Sequence, residues 1–302
     1  MKFEVTHPEV AEAVRRALEE DIGSGDITSI ACVPEDQDAA GRFIAREPMV
    51  VAGSELLAAI YGMRGGGVAQ TATSAAPRLV SALAESRQPS TIELEILLES
   101  GRRAEPGDVI ATVRGRTRTL LECERVALNF MQRLSGIATL ARRYADAVAG
   151  TKCRVLDTRK TTPGLRRLEK MAAAAGGATN HRMGLFDAVL IKNNHIAAAG
   201  GIRQALERAL QTGRKVEIEV GNRKELEEAL AGGASHLLLD NLSPEEAAEY
   251  VRAVAGRATI ELSGGITLEN IRAYAEAGAD FISCGAITHS ARAVDINFRL
   301  EG

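Results

Sequence analysis

The chain has 302 residues, 45% hydrophobic and 25% charged, which suits a globular protein of one large domain or two ordinary ones. A net charge of −3 offers no global basicity to a nucleic acid, and no stretch approaches the roughly 18 apolar residues of a membrane span. The cysteines Cys32, Cys123, Cys153 and Cys284 form no CxxC or Cys/His cluster, so no zinc site is expected. Each sits among apolar neighbours and reads as a small core residue of a protein working in a reducing cytoplasm.

In chain order, residues 9–20 predict an amphipathic helix without an apolar signal-peptide core. Residues 40–53 read as extended, 54–63 as helix, and the alternating TIELEILL (91–98) as a strand. The stretch 64–90 is rich in Gly, Ala and Ser and reads as an irregular surface excursion. GRRAEPGDVIATVRG is a turn followed by a further strand. Residues 119–149 predict a long helix, divided in two at Ser135-Gly136.

From 152 onward short apolar runs alternate with helical segments: CRVLD (153–157), AVLIK (188–192), VEIEV (216–220), HLLLD (236–240), TIELS (259–263) and FISCG (281–285). This is the cadence of βα units in a parallel sheet, with Gly stopping the helices at AGGA (231–234) and AGAD (277–280). Such units build either a barrel or a doubly wound sheet. Polar residues close nearly every run, and a barrel would bring those ends to one mouth, so the barrel is the expectation.

Between 152 and 192 stand nine Lys or Arg against three acids, a basic island in an acidic chain that points to a small anionic ligand. Arg159-Lys160 directly follow a strand, after Thr158, and His181-Arg182 form a second cationic pair. A guanidinium at a barrel mouth can clamp a carboxylate through two hydrogen bonds. Lys192 ends an apolar strand, where a cation needs an anion. His195 reads as a helix cap or a supporting residue. Glu217 and Glu219 share one face of their strand, and Glu219 with Asp240 could hold ribose hydroxyls or Mg²⁺. Ser263, Gly264, Gly265 and Gly285 lie in loops after the last strands, where barrels commonly bind phosphate.

Together with EDIGSGDITS (20–29) and ECERVALNFMQRLSGIAT (122–139), the stretches DTRKTTPGLR, GGATNHRMGLFDAVLIKNNHI, EIEVGN, LLLDN, ELSGGI and ISCGAITHS follow a family order along almost the whole chain. The sequence thus resembles the quinolinate phosphoribosyltransferases, also called carboxylating nicotinate-nucleotide pyrophosphorylases. The resemblance implies an N-terminal α/β sandwich domain over 1–125, rejoined by 291–302. It also implies an incomplete, seven-stranded-type α/β barrel of the type II phosphoribosyltransferase class over 126–290. It implies a cytoplasmic homodimer, with Arg125 reaching into the partner's site, acting on quinolinate and phosphoribosyl pyrophosphate with Mg²⁺ as cofactor. Arg159, Lys160, His181, Arg182 and Lys192 would bind carboxylates and nearby phosphates. Glu219 and Asp240 would hold the ribose, with Mg²⁺ nearby, directly or through its pyrophosphate. Ser263, Gly264, Gly265 and Gly285 would take the 5′-phosphate, with His289 close by. Lys160, Lys192, Glu219 and Asp240 are the expected catalytic set.

Three other readings compete: a related pyrophosphorylase-like protein for another carboxylated base, a non-catalytic sensor of a phosphoribosyl ligand, and a phosphate-binding barrel isomerase or synthase. The cation set argues against the first and third, and the retained Lys160, Lys192, Glu219 and Asp240 argue against the second.

Overall fold

The computed structural model describes residues 3–65, 68–71 and 91–301. The chain divides into two compact units, one of Met1–Thr139, Arg167–Gly176 and Ala291–Gly302, the other of Leu140–Arg166 and Gly177–Ser290.

The first unit opens with α1 (Pro8–Ile22), started by Pro8 and by His7, whose Nδ1 accepts the Glu9 N–H; Val10, Val14 and Leu18 form its buried stripe. The turn GSGD ends in a second helix, α2 (Ile27–Cys32), capped by Asp26, which accepts from the N–H groups of Thr28 and Ser29 at 3.0 Å each. Cys32 at its end is exposed and is no core residue, unlike the three buried cysteines. Next come β1 (Asp38–Ala45), β2 (Met49–Val50), α3 (Leu56–Gly65), β3 (Val68–Thr71), β4 (Ile92–Ile96), β5 (Arg103–Ala104) and β6 (Val109–Arg116). The part of the Gly/Ala/Ser-rich stretch over 72–90 lies outside the described residues, but Val68–Thr71 is a strand, parallel to β4.

The long helix α4 (Thr117–Ala147) is unbroken. Ser135 and Gly136, expected to divide it, are there for close packing. The Ser135 hydroxyl bonds both N–H and C=O of Ala52, and a Cβ on Gly136 would run into the Arg292 carbonyl. A small residue inside a helix marks a close approach here, not a stop. The helix passes through the 125/126 boundary drawn from the sequence.

The second unit's strands are β7 (Arg154–Leu156), β8 (Val189–Ile191), β9 (Val216–Glu219), β10 (His236–Asp240), β11 (Thr259–Ser263) and β12 (Phe281–Ser283). Between them stand α5 (Arg166–Ala175), α6 (Asn193–Ala199), α7 (Ile202–Leu210), α8 (Arg223–Ala231), α9 (Pro244–Val254), α10 (Ile271–Glu276) and α11 (Ala286–His289). Most of α5 belongs to the first unit. The last strand, β13 (Ile296–Glu301), is also in the first unit and pairs antiparallel with β1, setting Phe298 against Phe43. The first unit's main sheet runs β13-β1-β6-β4-β3, over a core of Phe43, Leu56, Leu57, Ile60, Tyr61, Ile92 and Leu94.

The sheet of the second unit runs β7-β12-β11-β10-β9-β8, parallel throughout. All six runs read from the sequence are strands of this one sheet. A single parallel bridge from Leu156 to Thr179 adds a seventh position beyond β7, so the barrel is incomplete among the described residues. Parallel strands bring all their C-terminal ends to one edge, where Thr158, Lys192, Glu219, Asp240, Ser263 and Gly285 stand.

Candidate active site

A cavity of about 580 Å³ opens at these strand ends. Every residue expected to bind substrate lines it except Arg125 and Glu219. Arg125 lies on α4 in the first unit, exposed, with its Nη2 donating to Asn129 at 3.0 Å.

Asp157, fully buried, ends the β7 run and organises the two loops beside it. Its Oδ1 accepts the His181 N–H at 2.8 Å and its Oδ2 accepts from the Asn180 amide at 2.6 Å. One carboxylate therefore holds the segment carrying His181-Arg182 next to the loop carrying Arg159-Lys160. Arg166 ties the same two loops from outside: Nε donates to Thr161 Oγ1 at 3.0 Å and Nη1 to the Met183 carbonyl at 3.2 Å. The Lys160 carbonyl accepts the Thr288 hydroxyl at 2.7 Å, and Thr158 Oγ1 accepts the Lys160 N–H at 3.1 Å.

Arg159 and Arg182 face the cavity together. Burial, and then the charge of Arg159, holds the Arg182 guanidinium below its usual range. Arg182 Nη1 donates to the Ala188 carbonyl at 3.0 Å. Among the described residues no carboxylate forms an ion pair with Arg159. Asp187 and Glu217 offset part of the Arg182 charge, whereas Arg159 has no such carboxylate, so the pair is costly unless an anion completes it.

The His181 ring is engaged at both nitrogens. In the neutral ring Nδ1 accepts the Arg182 N–H at 2.8 Å and the ring proton is on Nε2. Nε2 lies 3.4 Å from Glu217 Oε2 and 3.4 Å from Glu261 Oε2. Burial opposes a charge on this ring, but hydrogen bonds to the two carboxylates overcome it and push the pKa up to about 9. Burial, with the neighbouring Glu217 charge, holds Glu261 above the usual carboxylate range. Burial acts on Glu217 the same way, but its bond to His181 outweighs that and lowers it. The ligand atoms of these three residues lie within 4.8 Å of one another, arranged as a hydrogen-bonded triad around Nε2–H.

At β8, Lys192 Nζ lies 3.4 Å from Glu219 Oε2, its side chain 54% exposed at the rim. His195 accepts the Lys192 N–H on Nδ1 at 3.0 Å, so it caps α6. At β10 and β11, Asp240 accepts from the Ser263 hydroxyl and from the Asn241 amide. Gly264 and Gly265 turn with φ of 88° and 61°, and a Cβ on Gly264 would lie 2.7 Å from the Asn241 nitrogen. Only glycine fits that turn. Gly285 packs where a Cβ would meet Lys160 Cδ at 2.9 Å and His289 at 3.1 Å. His289 is exposed, with Nδ1 against the Ser290 hydroxyl at 2.6 Å.

The sequence marks Asp157 only as the polar end of its run and does not mark Asn180 or Arg166. Glu261 carries a readable signal, an acid inside the apolar run TIELS, as Glu217 and Glu219 stand inside VEIEV.

A parallel βα barrel with facing guanidiniums at one side of its mouth and glycine turns at the other belongs to the anion-binding barrels. Comparison with known proteins is more specific. Residues 26–135 match the quinolinate phosphoribosyl transferase N-terminal domain and 137–299 the C-terminal domain. The chain is 38% identical over 299 residues to the carboxylating nicotinate-nucleotide pyrophosphorylase of Mycobacterium leprae, covering 96% of each. It is 37% identical over 320 residues to the chloroplastic carboxylating nicotinate-nucleotide pyrophosphorylase of Arabidopsis thaliana, covering 98% of this chain and 84% of the other. Among solved structures, the nicotinate-nucleotide pyrophosphorylase of Francisella tularensis matches with a TM-score of 0.85 and 36% identity, covering 98% of both chains. The chain belongs to the quinolinate phosphoribosyl transferase family.

Proposed function

We propose that the protein joins quinolinate to the ribose of phosphoribosyl pyrophosphate and removes one carboxylate, giving nicotinate mononucleotide, pyrophosphate and CO₂. The observation that carries this reading is the facing Arg159 and Arg182 pair, with no described carboxylate bound at Arg159. A planar dicarboxylate answers two guanidinium forks.

The remaining groups divide the second substrate among them. The Gly264-Gly265 turn and Ser263 would take the 5′-phosphate, with Gly285 and His289 beside it. Asp240 and Glu219 would accept ribose hydroxyls and favour positive charge at ribose C1. The pyridine nitrogen attacks C1, an N–C bond forms, and the C1–O pair leaves with pyrophosphate. Lys160 and Lys192 offset the charge of the phosphates, a preorganised electrostatic contribution of about 3–4 kcal/mol per contact. The quaternised ring then accepts the electron pair as its C2 carboxylate departs. No base is needed, because a pyridine nitrogen is unprotonated near neutrality.

Mg²⁺ would supply charge to the leaving pyrophosphate. Oxygen donors at the mouth suit a hard cation. Asp240 is already bonded to Ser263 and Asn241, and Glu219 to Lys192 and Asn193, so they would hold it through its water shell. Arg125 would complete the site of a second copy in a cytoplasmic homodimer; its exposed position on α4 is compatible with that. No helix of the described residues is long and apolar enough to cross a membrane.

The test is an assay with quinolinate, phosphoribosyl pyrophosphate and Mg²⁺ that scores nicotinate mononucleotide and CO₂. Absence of turnover by folded protein sinks the reading. For Arg125, mixed dimers of Arg125→Ala and Arg159→Ala chains are expected to regain activity at one of their two sites when assayed at quinolinate concentrations far below the variants' KM, where each variant alone turns over poorly. Mixtures no more active than the separate variants would remove Arg125 from the partner's site.

A further inference from the structure

The proposed reaction has a requirement that the substrates do not meet. When the C2–carboxylate bond breaks, its electron pair stays on C2 and CO₂ leaves. One proton must then be added at C2, and neither ionised quinolinate nor phosphoribosyl pyrophosphate carries it there. The protein must give one proton per turnover and recover it from solvent.

Few groups lining the mouth cavity can do this. Arginines do not release protons. Lys160 and Lys192 are exposed, and giving up a proton would remove the charge that holds a phosphate or carboxylate. His289 lies with the glycine turns, exposed and bonded to Ser290. Asp240 accepts from Ser263 and Asn241. His181 and Glu261 remain, and the two carboxylates at Nε2 hold the His181 proton against release.

Resting on the function proposed above, we infer that Glu261 is the acid that protonates C2 of the ring after CO₂ leaves. Its carboxyl O–H gives its proton to C2, and the resulting carboxylate is held by the His181 Nε2–H. Glu261 is 5% exposed, yet it lines the mouth cavity, where Glu217 does not. The ligand oxygens of Glu217 and Glu261 lie within 4.8 Å of one another on buried side chains, and two such carboxylates keep a proton between them. Burial, with the Glu217 charge and against the pull of the His181 hydrogen bond, pushes Glu261 up while Glu217 is lowered, so the shared proton favours Glu261.

The structure also offers a route for recovering the proton. A second cavity of about 330 Å³ shares His181, Arg182 and Glu261 with the mouth as a common wall. Lys215, Asn180 and Asp187 also line it, and Asp187 Oδ1 has no hydrogen-bond partner among the described residues. Its volume and polar walls admit several waters. Glu261 can thus be reprotonated from this side while substrate or product fills the mouth.

The groups facing Glu261 and its partner are Glu217 and Lys215 from β9 and its approach, His181, Arg182 and Asp187 from 181–187, Asp157 after β7, and the Ser283 hydroxyl from β12. The acid must be protonated to act. CO₂ release is therefore full below the raised pKa of Glu261 and falls as pH rises through it.

The experiment compares the full-length parent with Glu261→Gln in a quenched single turnover, measuring pyrophosphate, CO₂ and any undecarboxylated mononucleotide across pH. The parent is expected to release pyrophosphate and CO₂ one to one. Glu261→Gln is expected to release pyrophosphate but to form CO₂ and nicotinate mononucleotide at least about a hundredfold more slowly. Undecarboxylated mononucleotide accumulates, because an unprotonated C2 recaptures CO₂, and the alkaline limb disappears. Equal yields at the parent's rate, or equal slowing of both steps, would overturn the assignment. If Glu261→Gln does not fold, Glu217→Gln decides: it keeps the acid but removes the neighbouring charge, so the alkaline limb should move to lower pH. An unmoved limb counts against the proposal. A parent that does not turn over quinolinate would overturn the function reading and this one with it, whereas an active parent with an unaffected Glu261→Gln overturns this one alone.

Discussion

Replacing Arg159 with alanine is expected to lower kcat/KM for quinolinate by at least about thirtyfold, with most of the loss in KM. Arg159 and Arg182 face one cavity, and burial, with the charge of Arg159 added to it, depresses the pKa of Arg182. A dianion relieves this repulsion and gains a fork at each guanidinium. Removing one partner of such a desolvated pair costs about 2–5 kcal/mol, roughly thirtyfold to several-thousandfold. Arg159→Lys should recover little, because an ammonium is a point charge and does not match a planar carboxylate. The competing structural account is that Arg159 only shapes its loop. Steady-state kinetics separate the two when paired with inhibition by a benzene dicarboxylate and by benzoate. Clamping requires the dicarboxylate to lose far more affinity than the monocarboxylate. A quinolinate KM within threefold of the parent's would exclude a clamp.

That Arg159 sits at a strand end was legible because a cation pair directly follows an apolar run, and all six such runs are strands of one sheet. Local pattern carries this much because an inward-facing strand and its polar terminus are written in consecutive residues. It carries less where the cause is distant. Ser135-Gly136 looks like a helix break, and only the chain packed against it, at Ala52 and Arg292, makes small residues necessary inside one helix. Thr179 joins the barrel edge by a single bridge, too short to leave a period. His181 was readable as a cation beside Arg182. The partners of its Nε2, Glu217 and Glu261, come from strands far apart in sequence and are unreadable as a set. Nor does helical periodicity reveal that α5 belongs with the first unit. The role expected for Arg125 came from family resemblance alone, since by itself it is an exposed cation on a helix.

Asp157 depends on distant partners in the same way, and the second large effect is expected there. Asp157→Ala should destabilise the protein by about 3–5 kcal/mol, the range for breaking a buried charged network. The carboxylate is fully buried and is held by N–H donors, the His181 backbone at 2.8 Å and the Asn180 amide at 2.6 Å. Alanine removes the acceptor that both donors share, at about 1–3 kcal/mol each. Asp157→Asn is the discriminating variant. Its oxygen can still accept the His181 N–H, but its amide then meets the Asn180 amide, donor against donor. Stability should therefore fall by only part of the alanine loss, while the His181-Arg182 segment loses its register against Arg159. Urea unfolding midpoints and quinolinate KM, measured on the same preparations, test both halves. The expected outcome is an intermediate midpoint for Asp157→Asn, with a KM raised at least tenfold at temperatures where the variant is fully folded. A KM that tracks the folded fraction alone would show that Asp157 stabilises the barrel without aligning its cations. An elevated KM in fully folded protein would place it as the residue that sets the distance between the two guanidiniums, and so the size of the dianion they accept.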